Sequence, residues 1–143
     1  MKELTIAVVG ATGAVGQEIL KVMAERKIPY KELRLLASAR SAGTEIAYQG
    51  KTYTVQETTE NSFDDVDLAL FAGGPASRAF GRLAQSKGCV VIDNSSTFRL
   101  EPDVPLVVPE VNPEALKDHK GLIANPNCST ILLVSALYPL HKK

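Results

Sequence analysis

The sequence of 143 residues is poor in several things at once. It holds two cysteines, Cys89 and Cys128, too far apart in the chain to suggest a disulfide framework or a zinc site. Sixteen basic and sixteen acidic side chains leave no formal net charge, and no basic cluster offsets that balance. A nucleic-acid partner is therefore not expected. No apolar run approaches the length of a bilayer span, so no membrane segment is expected either. Strand residues begin by Leu4, which leaves no stretch for a secretory leader ahead of them. There is no internal repeat and no low-complexity segment. The expectation is one α/β domain with a proper core, in a cytoplasmic, reducing setting.

What is present is a glycine pattern in a specific context. Residues 4–16 read LTIAVVGATGAVG: an apolar β-rich run leads straight into Gly10, Gly13 and Gly16. A helical pattern follows, with Val15, Ile19, Val22 and Met23 on one predicted face. Strand, glycine turn and helix together raise such a motif above chance. Gly10 allows a tight turn, Gly13 a close approach of backbone to a pyrophosphate, and Gly16 a helix packed close to its strand. Thr12, Ala14 and Val15 complete the turn, and the helix N–H groups would hold the phosphates. The spacing is G-x-x-G-x-x-G rather than G-x-G-x-x-G.

A second strand is expected over residues 33–37, followed by Ser38, Ala39, Arg40 and Ser41. About twenty residues beyond the glycines, NAD-binding domains place an acid for the ribose hydroxyl. Here no acid lies between Leu35 and Thr44. A guanidinium and two hydroxyls, from Arg40, Ser38 and Ser41, suit a 2′-phosphate, so NADP is expected over NAD. Residues 44–48 and 51–57 read as a peripheral hairpin around Gln49-Gly50, to which no chemistry is assigned. Residues 67–72 form another buried strand, running through Gly73 and Gly74 into a helix over 76–87 closed by Gly88. That second glycine turn should line the same crevice. Residues 89–93 give a further strand, with Cys89 a small buried apolar residue. The turn after it carries Asn94 and Arg99, whose guanidinium could grip a phosphate or carboxylate. A short helix is expected over 113–118 and a last strand over 121–124. Asn125-Pro126-Asn127-Cys128 then opens an apolar helix. Cys128 thus sits at a helix N-terminus, where free N–H groups favour an anionic sulfur, and with the Asn127 amide could form an oxyanion hole. The fold class is α/β, a Rossmann-like, doubly wound, mostly parallel sheet with helices on both faces.

Taken together, GATGAVG at 10–16, ASARSAG at 37–43, DNSSTFR at 93–99, VPEVN at 108–112 and NPNCST at 125–130 resemble the aspartate-semialdehyde dehydrogenase family. The resemblance implies NADP-dependent reductive dephosphorylation of L-aspartyl 4-phosphate to L-aspartate 4-semialdehyde, a step toward lysine, threonine, methionine and diaminopimelate. By residue, it makes Cys128 the acyl-thioester nucleophile, helped by Asn127, and Arg99 the holder of the substrate phosphate. Gly10, Thr12, Gly13, Ala14, Val15 and Gly16 become the pyrophosphate turn. Ser38, Arg40 and Ser41 become the 2′-phosphate site, and Gly73 and Asn94 line the cofactor crevice. Family enzymes are more than twice this length, and their second half supplies a histidine acid/base and the homodimer interface. The resemblance therefore implies an NADP-binding domain over 1–127 and the start of a catalytic domain over 128–143. Neither His119 nor His141 matches the family's catalytic histidine. N-Acetyl-glutamyl-phosphate reductase, a related enzyme, normally has an aromatic residue where Ala14 stands. A non-catalytic nucleotide-binding module is the alternative of another class. No metal is expected.

Overall fold

The computed structural model describes residues 3–142. The chain runs β1 (Leu4–Val9), α1 (Ala14–Glu25), β2 (Tyr30–Ala37), β3 (Glu45–Tyr48), β4 (Lys51–Thr54), β5 (Gln56–Glu57), β6 (Leu68–Phe71), α2 (Gly74–Ser86), β7 (Val90–Asp93), β8 (Leu122–Ala124) and α3 (Cys128–His141). Short 3-10 turns at Ala39–Ser41, Glu60–Phe63 and Pro113–Asp118 punctuate the loops. Six strands form one parallel sheet in the order β5-β2-β1-β6-β7-β8. β1 is central and buried on both faces, as its largely apolar run requires.

The chain leaves β1 toward β2 and leaves β6 toward β7, in opposite directions across the sheet. Right-handed crossovers therefore put α1 and α2 on opposite faces. Two buried clusters record this. Leu20 and Met23 of α1 pack with Ile6, Val8 and Leu35 on one face. Ala84 of α2, flanked by Phe80, packs with Val9, Phe71 and Val91 on the other. Phe63 stacks on Phe71 there with ring centres 5.8 Å apart. Between β1 and β6 the order of connection reverses, and beyond the carboxyl ends of these strands a crevice opens. This is the doubly wound sheet that the sequence pattern implies.

Three local expectations are corrected. On α1, Gly16, Leu20 and Met23 are buried, whereas Val15 and Val22 are 42% and 38% exposed. The contact line is rotated because the helix approaches the sheet along Gly16, which has no side chain to hold it off. β2 begins at Tyr30, since pairing with β1 extends past the apolar stretch into residues with exposed side chains. The hairpin closes at Gln49-Gly50, both with positive φ, but its second strand ends at Thr54. Gln56–Glu57 then leaves the hairpin and joins the main sheet beside Leu36 and Ala37. Cys89 is 1% exposed and its thiol is pushed up by burial, as an inert core cysteine should be.

α3 is the exception to the packing. None of its described residues is buried, and Leu132, Leu133, Leu137 and Leu140 are between 50% and 74% exposed. A helix apolar on most sides normally lies inside a structure. The isolated 143-residue chain is expected to self-associate through these leucines. Sedimentation should show association that grows with concentration and is suppressed by replacing Leu132 and Leu137 with Gln. A monodisperse monomer at high concentration would contradict this.

Candidate active site

The glycine turn is fixed from two sides. Gly10, at φ +85, and Ala11 both donate their N–H to the Leu36 carbonyl, at 2.8 and 3.1 Å, which ties the turn to the end of β2. The Gly13 N–H donates to the Gly10 carbonyl at 3.1 Å. A Cβ on Gly16 would stand 2.2 Å from that same carbonyl oxygen and 2.8 Å from the Ala11 Cα. Only glycine allows α1 to start this close to β1. Gly13 caps α1, with no side-chain cap and no acid in the first turn. The helix N-terminus is thus left to an anion. α2 starts likewise from Gly73, with Pro75 in its first turn and no side-chain cap.

Both helix starts border one cavity of about 670 Å³ at the carboxyl ends of β1, β2 and β6. Gly10, Thr12, Gly13, Ala14, Val15 and Gly16 line it from the first turn, Ser38, Arg40 and Ser41 from the segment after β2, and Gly73 from the second turn. The structure thereby gathers on one wall residues that lie far apart in the chain. Gly73 has an ordinary φ of −143, and a Cβ there would meet nothing within 4 Å. Neither backbone torsion nor protein packing requires glycine at that point, and the backbone there faces open space beside the cavity. Arg40 is exposed and, among the described residues, has no acidic partner.

The sequence reading missed Glu57, Thr58, Ala76 and Phe80, which also line the cavity. Among the described residues, Glu57 is the one carboxylate on the wall. It arrives because β5 pairs with the end of β2, and the Thr58 N–H and hydroxyl both donate to the Ala37 carbonyl, at 2.8 and 3.0 Å. No local pattern in residues 51–58 signals which sheet edge they join.

A second group of candidate residues lies outside that cavity, at the ends of β7 and β8. Arg99 donates from Nε to the Asn125 carbonyl at 2.9 Å and from Nη2 to the Asn94 carbonyl at 3.3 Å. The side chains of Asn125 and Asn94 are joined at 2.5 Å. Asn94 borders a smaller apolar cleft of about 340 Å³ with Val15, Ile19, Val22 and Leu70, rather than the larger cavity. Asn127 caps α3, its Oδ1 accepting the Ser129 N–H at 3.0 Å, and Cys128 is the exposed first residue of that helix. His119 accepts the Gly121 N–H through Nδ1 at 3.1 Å, a turn-stabilising role. Tyr138 and Lys142 stand in Tyr-x-x-x-Lys spacing, but the ammonium lies over the ring, 5.0 Å from its centre, and neither residue lines the cavity. The described residues hold no cluster able to bind a metal ion and no helix long and apolar enough to cross a membrane.

A parallel sheet with a glycine turn at its switch point, under two uncapped helix starts, defines a dinucleotide-binding α/β domain. Comparison with known proteins narrows the class. Residues 5–119 match the family "Semialdehyde dehydrogenase, NAD binding domain", and the chain belongs to that family. It is 55% identical to an aspartate-semialdehyde dehydrogenase of Prochlorococcus marinus, covering 97% of this chain and 41% of that protein. The Aquifex aeolicus enzyme of that name is 56% identical, over 96% of this chain and 42% of the relative. The chain thus spans about two fifths of these relatives. The structure of aspartate semialdehyde dehydrogenase II from Vibrio cholerae complexed with ASA superposes with TM-score 0.94 at 48% identity, covering 99% of this chain and 48% of that one. The Candida albicans enzyme with NADP gives 0.77 at 27%, covering 99% and 47%. A Rex-family repressor at 15% identity and TM-score 0.60 shares the fold alone.

The close approach at Gly16 makes a direct prediction. Gly16→Ala should lose about 3 kcal/mol in denaturant unfolding, since backbone must move to admit the methyl. Gly73→Ala should lose no more than about 1 kcal/mol, the cost of a poorer helix cap. Equal losses at the two positions would refute this reading of the turns.

Proposed function

We propose that this chain is the NADP-binding portion of an aspartate-semialdehyde dehydrogenase, extending over 1–127, with 128–143 beginning the catalytic domain. The reaction is reductive dephosphorylation of L-aspartyl 4-phosphate to L-aspartate 4-semialdehyde through a thioester on Cys128. One observation carries the reading. The ends of adjacent strands in one sheet present both a dinucleotide crevice and, beside it, an arginine and a helix-borne exposed cysteine. The names of the relatives agree with this reading.

The cavity suits NADP on its own evidence. Two helix N-termini supply N–H groups for the pyrophosphate, Gly73 leaves open space, and Arg40 with Ser38 and Ser41 offers a cation and two hydroxyls to a 2′-phosphate, with Glu57 the carboxylate nearby on the wall. Bound NADPH supplies the hydride that reduces the thioester. The rest falls to this chain's residues. The Cys128 sulfur attacks the acyl carbon, and the C–S bond forms as the C–O bond to phosphate breaks. Phosphate departs against Arg99, whose Nε and Nη2 each donate one N–H, to the Asn125 and Asn94 carbonyls, which leaves its remaining N–H groups for an anion. Asn127, its oxygen engaged in capping α3, has its amide N–H groups for the oxyanion. After reduction the C–S bond breaks, its electron pair returns to sulfur and the aldehyde leaves. The acid/base histidine and the homodimer interface belong to the part of the protein that this chain does not include. An exposed free thiol as nucleophile suits a reducing, cytoplasmic setting.

At natural length, the protein carrying this chain should form NADPH from L-aspartate semialdehyde only when inorganic phosphate is present. Cys128→Ser should abolish this while leaving NADP affinity within twofold. Turnover by Cys128→Ser at the parent rate would remove the cysteine from the mechanism. Arg40→Gln should weaken NADP binding about tenfold while barely changing NAD, because only NADP carries the 2′-phosphate. A loss common to both nucleotides would place the 2′-phosphate elsewhere.

A further inference from the structure

Asp93 is a carboxylate with no solvent exposure, at the carboxyl end of β7. Its burial demands hydrogen bonds, because a buried charge or polar group left unpaired is costly. It has three partners. The Ser77 hydroxyl of α2 lies 2.5 Å from Oδ1, the Ser95 N–H donates to Oδ1 at 3.2 Å, and the Ser95 hydroxyl donates to Oδ2 at 2.7 Å. The Thr97 N–H then donates to the Ser95 Oγ at 3.1 Å, so the carboxylate dictates the path of residues 94–97. The backbone carbonyl of Asp93 accepts the Asn125 N–H at 2.8 Å. Of the two carbonyls that hold the Arg99 guanidinium, that of Asn94 belongs to the residue that follows Asp93 and that of Asn125 to a residue paired with the Asp93 main chain. At the other end of the loop, Phe98 is buried against Gly81 of α2, where a Cβ would come within 2.6 Å of the ring. The loop is clamped at both ends, and Arg99 comes directly after it.

We propose that Asp93 is a positioning residue: its carboxylate, through Ser95, sets the 94–97 loop so that Arg99 presents its guanidinium to the phosphate of the substrate. This rests on the reading of Arg99 given above and adds the device that aims it. Asp93 lines neither of the two cavities described above. The asymmetry of its bonds gives the inference its test. The Ser77 N–H donates to the Gly73 carbonyl at 3.0 Å, and its hydroxyl, 2.9 Å from the same carbonyl, can turn its one proton there when Asp93 changes, so α2 and the dinucleotide crevice keep an anchor. At Ser95 the alternative is weaker: its hydroxyl also lies 2.9 Å from Thr97 Oγ1, which reaches the Gly74 carbonyl of α2 only at 3.5 Å. Asn in place of Asp93 offers an N–H group where Ser95 donates, and the path through Thr97 loosens.

The protein carrying this chain at natural length is titrated with inorganic phosphate in a calorimeter and assayed for phosphate-dependent NADPH formation. Asp93→Asn and Ser95→Ala should each raise the Kd and KM for phosphate about tenfold. The kcat at saturating phosphate should stay within threefold, and NADP affinity within twofold. A phosphate Kd that does not move, or a parallel fall of kcat, NADP affinity and thermal stability, would overturn the proposal. If Asp93→Asn does not fold, Ser95→Ala decides alone. A parent protein that binds phosphate but turns over no semialdehyde would sink the proposed reaction, and the phosphate Kd of the two variants would still decide this inference. A parent that binds no phosphate would overturn it.

Discussion

The distance between α1 and β1 at Gly16 is the constraint on which the rest depends. Because no side chain intervenes, the helix starts directly beyond the strand and against the Gly10 carbonyl. That contact sets where the first helix N-terminus points and where the Gly10 turn meets the end of β2. The sheet then supplies the rest by topology. Reversal of connection order between β1 and β6 brings the second glycine turn alongside the first, and neither helix start is capped by its own side chains. The crevice is a consequence of parallel order and two short turns, before any ligand is considered.

A second set of strand ends extends this logic. β7 and β8 lie side by side, and the segments that leave them carry the polar groups outside the cavity: Asn94 and Arg99 after β7, Asn125, Asn127 and Cys128 after β8. Arginine bound to main-chain carbonyls is held without being neutralised by a carboxylate, so its charge remains for an incoming anion. Among the described residues, the buried Asp93 nearby meets hydroxyl and amide donors, of Ser77 and Ser95, rather than that guanidinium. Keeping the acid and the guanidinium apart, with the loop between them, is what makes the arrangement suit phosphate.

Much of this was legible in the sequence because its signals are local. The run LTIAVV followed by three spaced glycines specifies strand, turn and helix within a few residues, and the Gln49-Gly50 hairpin and the helix closed by Gly88 are equally local. What was not legible depends on distant partners. The buried stripe of α1 shifted to Gly16, Leu20 and Met23 because the approach to the sheet, not apolarity alone, selects the contact line. Glu57 and Thr58 enter the cavity wall only because β5 adds to the edge of β2, a pairing that no periodicity in residues 51–58 encodes. Asp93 read as the end of a strand; its burial against Ser77, sixteen residues away, appears only when α2 is packed.

If the crevice formed by the first glycine turn and the Arg40 segment selects NADP, calorimetric titration of the natural-length protein with NADP and with NAD at one ionic strength should show NADP binding about tenfold tighter or more, the margin expected of a charge-assisted contact to the 2′-phosphate. Equal affinities, or tighter binding of NAD, would contradict it.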